Sequence, residues 1–385
     1  MTERLEWQTS LCSPKFPAVA YEALCEQLAQ STPFNRLAWL QAAERELAPT
    51  CSLQVLLLWQ SDRLVGCIPL ICCPLRVFGV TISEVRHLGH PLSDRVGLML
   101  DVGADQLLEP ALMAIRRRMP HARLQLNEIP ASPKHRNLLE HWASQSWQWE
   151  ARTSCRVPEH QLSEADRQEV AGDTRYKLRR ARKRAQACGA VVKRLTPDAT
   201  TIGPCLEQLA IVEDASWKGD DGIGIFSPGT HRDWTIKGFT ALAAEGRVRV
   251  VQLTLEGRCI SYRLGLLDQG RLYDYNLAFL PEYASLGSGR LLLDEWFHWG
   301  LDEGWDYIDA SRISLHQSSH QLHERMTGQV EHLRWSFYSR RPAGIALGLA
   351  YGLWVRIKPR LQAWRSRRQT KAPNAAASSN LPADS

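Results

Sequence analysis

The chain has 385 residues, 44% hydrophobic and 23% charged, which excludes a disordered or collagen-like protein and leaves room for two domains. Its net charge of +6 is unevenly placed: residues 173–184 carry seven bases against one acid, residues 356–371 add seven bases and no acid, and the remainder stands at −7. Two basic segments on a mildly acidic body point to phosphate groups or an anionic surface as partners.

The first ten residues are polar, with no apolar core behind them, so no secretory signal is expected. No run reaches the ~18–20 apolar residues of a spanning helix, and residues 343–355, the nearest candidate, are short and glycine-rich. The expectation is a cytoplasmic protein. Helical patterns cover residues 19–29 and 38–47. An apolar strand at 55–59, a turn at 60–63 and a second strand at 64–73 follow. Cys67, Cys72 and Cys73 lie in these runs, as Cys259 does later. With ten cysteines, no CxxC pair and no repeated spacing, they read as reduced thiols packed as small hydrophobes. A helix is expected at 111–119 and a strand at 123–129. The polar stretches 131–137 and 152–172 read as linker, and the basic helix 173–188 stops at Gly189.

The second half repeats this grammar. Strands are expected at 248–255, 259–267 and 271–279, separated by turns at 256–258 and 268–270. A glycine-containing loop at 284–289, a helix at 290–300 and a strand at 305–309 follow. The segment VLLLWQSDRLVGCIPL aligns with VVQLTLEGRCISYRLGL as strand, turn, strand, which reads as a diverged duplication at domain scale. The expected organisation is an N-terminal lobe at 1–152, a C-terminal lobe at 153–341, and a basic helix with a disordered tail at 342–385. That last segment either packs on the body or lies in a membrane interface.

The chemistry-bearing constellation is strand, loop, helix, strand at 271–309. Gly287 and Gly289 leave backbone N–H groups unshielded where a helix starts, and Arg290 adds a cation, a combination that attracts phosphate oxygens. The bland alternative is a tight turn with no ligand. The spacing and lysine of a nucleotide P-loop are absent. The basic helix is either a solvated face or the seat of an anion. His316, His320 and His323 are spaced for one helix face, but no cysteine or carboxylate completes a zinc set, so no metal is expected. Cys259, in an apolar strand, reads as an inert thiol.

At this point the sequence resembles the GNAT acetyltransferase superfamily. Ala284-Ser-Leu-Gly-Ser-Gly289 is similar to its loop [RQ]-x-x-G-x-[GA], except at the first position. Residues Ser216-Trp-Lys-Gly219, Ile260-Ser-Tyr-Arg-Leu-Gly265, Gly289-Arg-Leu-Leu-Leu293, Tyr307-Ile-Asp309 and the basic helix resemble the BcsL/CelD-like branch, linked with cellulose and exopolysaccharide synthesis and related to FemAB-type tandem-GNAT transferases. The resemblance covers roughly residues 30–340. It implies an α/β (α+β) fold of tandem GNAT-like lobes, each a mixed, largely antiparallel sheet flanked by helices.

The activity it implies is an acyl-CoA-dependent N-acyltransferase. Its donor is acetyl-CoA, and its acceptor an amino sugar or polysaccharide precursor. The implied CoA contacts are Leu277, Ala278, Phe279, Leu286, Gly287, Ser288, Gly289 and Arg290. The candidate bases or acids are Asp309, Asp274 and Tyr273, and the candidate acceptor contacts are Trp217, Lys218, Tyr262, Arg179 and His323. Two departures stand out. Ala284 replaces the usual Arg or Gln, and His323 or Arg325 occupies the place where the branch carries a lysine. The first half lacks such a loop, Leu88-Gly-His-Pro91 being a poor match, so CoA is assigned to the second half. The rival readings are an aminoacyl-tRNA-dependent transferase of the FemAB kind, and a non-catalytic accessory of a membrane polysaccharide synthase that docks through the basic tail. Nucleic acid is otherwise not expected as a partner.

Overall fold

The computed structural model describes residues 2–77, 79–131, 133–170, 172–310, 312 and 326–369. The first half runs β1 (Glu3–Gln8), α1 (Ala18–Gln27), α2 (Leu37–Arg45), β2 (Ser52–Gln60), β3 (Arg63–Val77), β4 (Val80–His87), β5 (Met99–Leu100), α3 (Leu108–Arg118), β6 (Arg123–Pro130), α4 (Pro133–Ser144) and β7 (Gln148–Gln161). The second runs α5 (Gly172–Ala187), β8 (Val191–Leu195), α6 (Ile202–Asp214), α7 (Trp217–Asp220), α8 (Thr230–Ala244), β9 (Val248–Leu255), β10 (Arg258–Asp268), β11 (Arg271–Phe279), α9 (Ser288–Glu303), β12 (Tyr307–Asp309), β13 (Gly328–Tyr338) and α10 (Pro342–Gln369).

One sheet joins the two halves in the order β1-β2-β3-β4-β6-β13-β7-β12-β11-β10-β9-β8, with β5 beside β3. Either side of the central pair β13-β7 the same sequence recurs. Antiparallel strands β2-β3-β4 end on a parallel partner, β6, and antiparallel β9-β10-β11 end on a parallel partner, β12. In each half a helix, α3 or α9, makes the crossover that parallel neighbours need. The aligned segments of the duplication are the two hairpins β2–β3 and β9–β10, so the repeat read from sequence is a repeat of topology.

Three expectations are corrected. The linker at 131–137 and 152–172 is largely absent, because residues 133–144 form α4 and residues 148–161 form β7 in the middle of the sheet. The boundary expected at 152 therefore falls inside a strand, and β13, assigned to the second lobe, pairs with β6 and β7. Cys51 and Cys73 are joined by a disulfide, although separated by 22 residues. The β2–β3 register explains it: Ser52 lies opposite Cys72, which sets the preceding and following cysteines across from each other.

The halves are fastened by buried charges and aromatics. The Arg36 guanidinium, fully buried, donates to both oxygens of Asp268 at 2.9 and 2.7 Å. Trp39 packs on Phe34 from its own half and on Trp234, Phe239 and Tyr275 from the other, and its indole N–H donates to Ser93 Oγ at 2.8 Å. Burial of such a ring contributes about 3–5 kcal/mol, judged by truncations to alanine.

Candidate active site

Strands β11 and β12 pair only from Arg271↔Tyr307 to Tyr273↔Asp309. Beyond that point β12 ends, while β11 continues to Phe279, held on its other side by β10. Among the described residues, the β12-facing edge of Asp274–Phe279 has no strand partner. Its main-chain donors and acceptors, around Leu277, Ala278 and Phe279, line a cleft between the strands. A register shift between Leu264 and Gly265 leaves Tyr275 out of the pairing with β10, and the Tyr275 hydroxyl donates to Leu92 O of the first half at 2.8 Å.

The chain then turns through a short 3₁₀ segment, Pro281–Leu286, to Gly287, which caps α9 with φ of 69°. That left-handed conformation suits glycine and aims the first amides of α9 outward. Leu286 and Ser288 are buried, whereas Gly287, Gly289 and Arg290 are half-buried. A Cβ built on Gly289 would meet nothing within 4 Å, so the space beside Gly289 is open.

Helix α5 lies along this turn. Its apolar stripe of Leu178, Ala181 and Ala185 is buried, and Ala181 Cβ sits 3.7 Å from where a Cβ of Gly287 would stand. Arg184 donates to Ser285 O, and Arg182 pairs with Asp294 of α9 at 2.6 Å. The basic helix is thus docked on the glycine turn through one face, not solvated all round. Arg175, Arg180 and Lys183 make no ion pair among the described residues. Lys177, Arg180 and Arg184, three and four residues apart, share one flank. Arg179 pairs with Glu169 on the face turned away from Ala181.

At the other end of the cleft, Lys218 of α7 donates to Asn276 Oδ1 and stands 3.7 Å from Glu213 Oε1. Asn276 donates to the same Glu213 oxygen at 2.8 Å, and the second Glu213 oxygen accepts the Phe226 amide at 2.8 Å. Burial pushes the Lys218 amine below its ordinary value, with Glu213 pulling the other way. Trp217 is half exposed beside it. Sequence reasoning named Trp217 and Lys218 and missed Glu213 and Asn276. The signal lay just upstream of Trp217, in the segment Glu213-Asp-Ala-Ser-Trp-Lys218, whose first residue the structure buries completely.

Both candidate carboxylate bases are engaged by arginines. Asp309 receives Nε of Arg95 at 3.1 Å and a second donation from Nη2, and burial pushes it up to about 7 against the pull of Arg95. Asp274, fully buried, is closed over by Arg263 and by the Trp296 indole at 3.3 Å. Tyr273 is buried too, and its hydroxyl is pushed above its ordinary range. Tyr262 belongs to the core, 1% exposed, where no acceptor among the described residues reaches its hydroxyl; this corrects the expectation that it lines the cleft. His316, His320, His323 and residues 322–325 lie outside the described residues.

A polar chain continues from Asp309 into the first half. Arg95 also donates to Asp94 at 3.0 Å, Arg312 bridges Asp94 at 3.3 Å and Glu128 at 3.2 Å, and the Cys155 thiol donates to Glu128 at 3.3 Å. Glu128, Cys155 and His332 place one donor atom each within 4.8 Å of one another, a set able to hold a divalent cation. Arg312 balances Glu128, and burial raises the thiol to about 12, the carboxylate adding to the shift.

These geometries can be set beside known proteins. Residues 172–321 match the family described as Acetyltransferase (GNAT) domain. On this domain the chain is an acyltransferase. Among solved structures, it is similar to FemX (TM-score 0.59, 9% identity, 89% of this chain and 98% of that one covered). It is also similar to a tandem GNAT protein from the clavulanic acid biosynthesis pathway (0.50, 10%, 87% and 98%). A third is the C-terminal domain of a putative lysylphosphatidylglycerol synthetase from Agrobacterium fabrum (0.51, 12%, 87% and 95%). At these identities the likeness concerns the fold: tandem GNAT-like lobes spanning nearly the whole chain. No curated protein matches the sequence. The GNAT match covers the glycine turn, the basic helix and the open edge of β11.

Proposed function

We propose that this GNAT domain transfers an acyl group from acyl-CoA, acetyl-CoA first, to the amine of an amino sugar or polysaccharide precursor. The observation that carries the reading is the docking of a cationic helix, α5, on the left-handed glycine turn that opens α9. Arg184 of α5 donates to Ser285 O in the turn, and the space beside Gly289 is open. The fit to a diphosphate is chemical: the amides of Ser288 and Gly289 donate at the positive end of the α9 dipole, and Arg180 and Arg184 neutralise charge, Lys177 of the same flank being paired with Asp173.

When bound, the thioester supplies the acyl group, the amine nitrogen gaining it as the C–S bond breaks and its proton passes to the sulfur. The open edge of β11 orients the pantetheine arm and offers an amide near Leu277–Phe279 to charge on the carbonyl oxygen. Lys218, set by Asn276 and Glu213, positions the acceptor beside Trp217. Asp309 and Asp274 serve as positioning residues through Arg95 and Arg263. The amino-sugar acceptor rests on the resemblance to the BcsL/CelD-like branch.

A second reading, transfer from an aminoacyl-tRNA, is favoured by the likeness to FemX, and α5 suits a phosphate backbone equally. Thermal unfolding with each donor separates the two. Acetyl-CoA at a hundred times its Kd adds about 2.7 kcal/mol and raises the midpoint if the first holds. A rise with charged tRNA alone, lost in high salt, replaces it with the second. A midpoint that responds to neither overturns both.

A further inference from the structure

Outside the acyl-transfer cleft, the first half holds a cavity of about 290 Å³ between α3, α4 and the end of β13. Its walls are apolar: Leu112, Ile115, Leu124, Trp142 and Phe337. Its rim is cationic. Arg116 is half-buried, Arg340 and Arg341 are exposed, and none of the three makes an ion pair among the described residues. Burial and the nearby Arg340 push the Arg116 guanidinium down, and burial with Arg116 and Arg341 does the same to His121, although a bond from His121 to the Met119 carbonyl opposes it. No carboxylate features among the influences on either group. Like charges gathered at a hydrophobic opening cost free energy unless an anion joins them.

A second observation points the same way. Trp142 is 3% exposed, lines this cavity, and its indole N–H has no hydrogen-bond partner among the described residues. An unpaired indole donor in an apolar wall, beneath three guanidinium groups that lack an ion-pair partner among the described residues (Arg116 donating only to Gln145 O), calls for a ligand with an oxygen-bearing head and an apolar body. We propose that this cavity binds an amphiphilic anion: a single acyl chain bearing a phosphate or carboxylate, the chain lying against Leu112, Ile115 and Phe337 and the head held by Arg116 and Arg340. At the lower end of ligand-pocket volumes, the space suits one chain and not a bulky polycyclic body.

The rim leads directly into α10, which follows Arg341. Leu349, Leu353 and Trp354 of α10 are exposed, near Arg356, Lys358 and Arg360. The head group can therefore come from a free amphiphile or from an anionic lipid in a bilayer on which α10 rests; no helix among the described residues is long and apolar enough to cross one.

The test titrates the full chain calorimetrically with decyl phosphate, decanol and inorganic phosphate, and measures co-sedimentation with phosphatidylglycerol vesicles. Decyl phosphate is expected to bind at least tenfold more tightly than decanol or inorganic phosphate. Arg116→Gln with Arg340→Gln should weaken it about tenfold or more while leaving CoA binding unchanged. Leu112→Trp, which fills the cavity, should abolish the decyl component; should that variant fail to fold, the arginine pair decides alone. Vesicle binding that depends on the same arginines identifies the bilayer as the source, and binding of the monomer alone identifies a free amphiphile. Equal affinity for decyl phosphate and decanol, or affinity indifferent to the two arginines, overturns the proposal. Because the readout is independent of CoA, its failure leaves the acyltransferase reading untouched.

Discussion

The two halves repeat one topology and close it differently at the same place. After β11 the chain makes the left-handed turn at Gly287, and Gly289 faces open space. After β4 it passes Gly89, with φ of 100°, where a Cβ would collide with Ser93 Oγ, and the following residues, Ser93 to Arg95, are driven into the junction between the halves. One turn leaves open space beside Gly289. The other is packed shut: Ser93 accepts from Trp39 of its own half, which packs on the partner lobe, and Arg95 reaches across to Asp309. The repeated fold thus carries a glycine turn beside open space in one half and a glycine turn packed into the junction in the other.

The largest effect is expected from cutting the contact between Arg95 and Asp309. Asp309→Asn removes one of the two carboxylates paired with the buried Arg95, leaving Asp94, and should lower stability by about 3–5 kcal/mol in denaturant unfolding. A change under 1 kcal/mol would show that the halves hold without it. The shut turn should next reveal itself through acid. His87 is buried and held down to about 4, below the ordinary histidine value of 6.5, because burial disfavours its charged form. The unfolded chain therefore binds more protons between those values, and stability falls as pH drops from 6.5 to 4, by an order of 3 kcal/mol for this residue. His87→Phe should flatten that slope. Gly89→Ala follows, with a loss of about 1–3 kcal/mol and an unchanged affinity for CoA. The smallest effect belongs to the exposed Lys183→Ala, which should leave stability within 0.5 kcal/mol and weaken CoA slightly, most visibly at low salt.

Much of the repeat was legible because the hairpins β2–β3 and β9–β10 are apolar runs around short polar turns, a local pattern. β7 was not legible. RTSCRVPEHQ has charges and a proline where a central strand is expected to be apolar, since this strand lies at the seam and faces the polar chain of Glu128 and Arg312. α4 was read as linker because its polar composition hid a proline that the first turn of a helix tolerates. At the site, Gly287, Gly289 and Lys218 stood out through motif and spacing. Arg95, Arg263, Glu213 and Asn276 did not, because each gains its meaning from a partner distant in sequence. Arg263 carried the clearest clue: a charge inside the apolar strand CISYRLGLL demands a buried partner, and Asp274 is that partner. The Cys51–Cys73 bond was hidden in the same way, by a register that only the hairpin reveals.

The open turn is the centre of this account, and calorimetric titration of CoA into the wild type and into Gly289→Trp measures it directly. Binding in the wild type, weakened at least tenfold by the tryptophan with an unchanged melting temperature, is the predicted result. Equal heats in both proteins would place the phosphates elsewhere and contradict it.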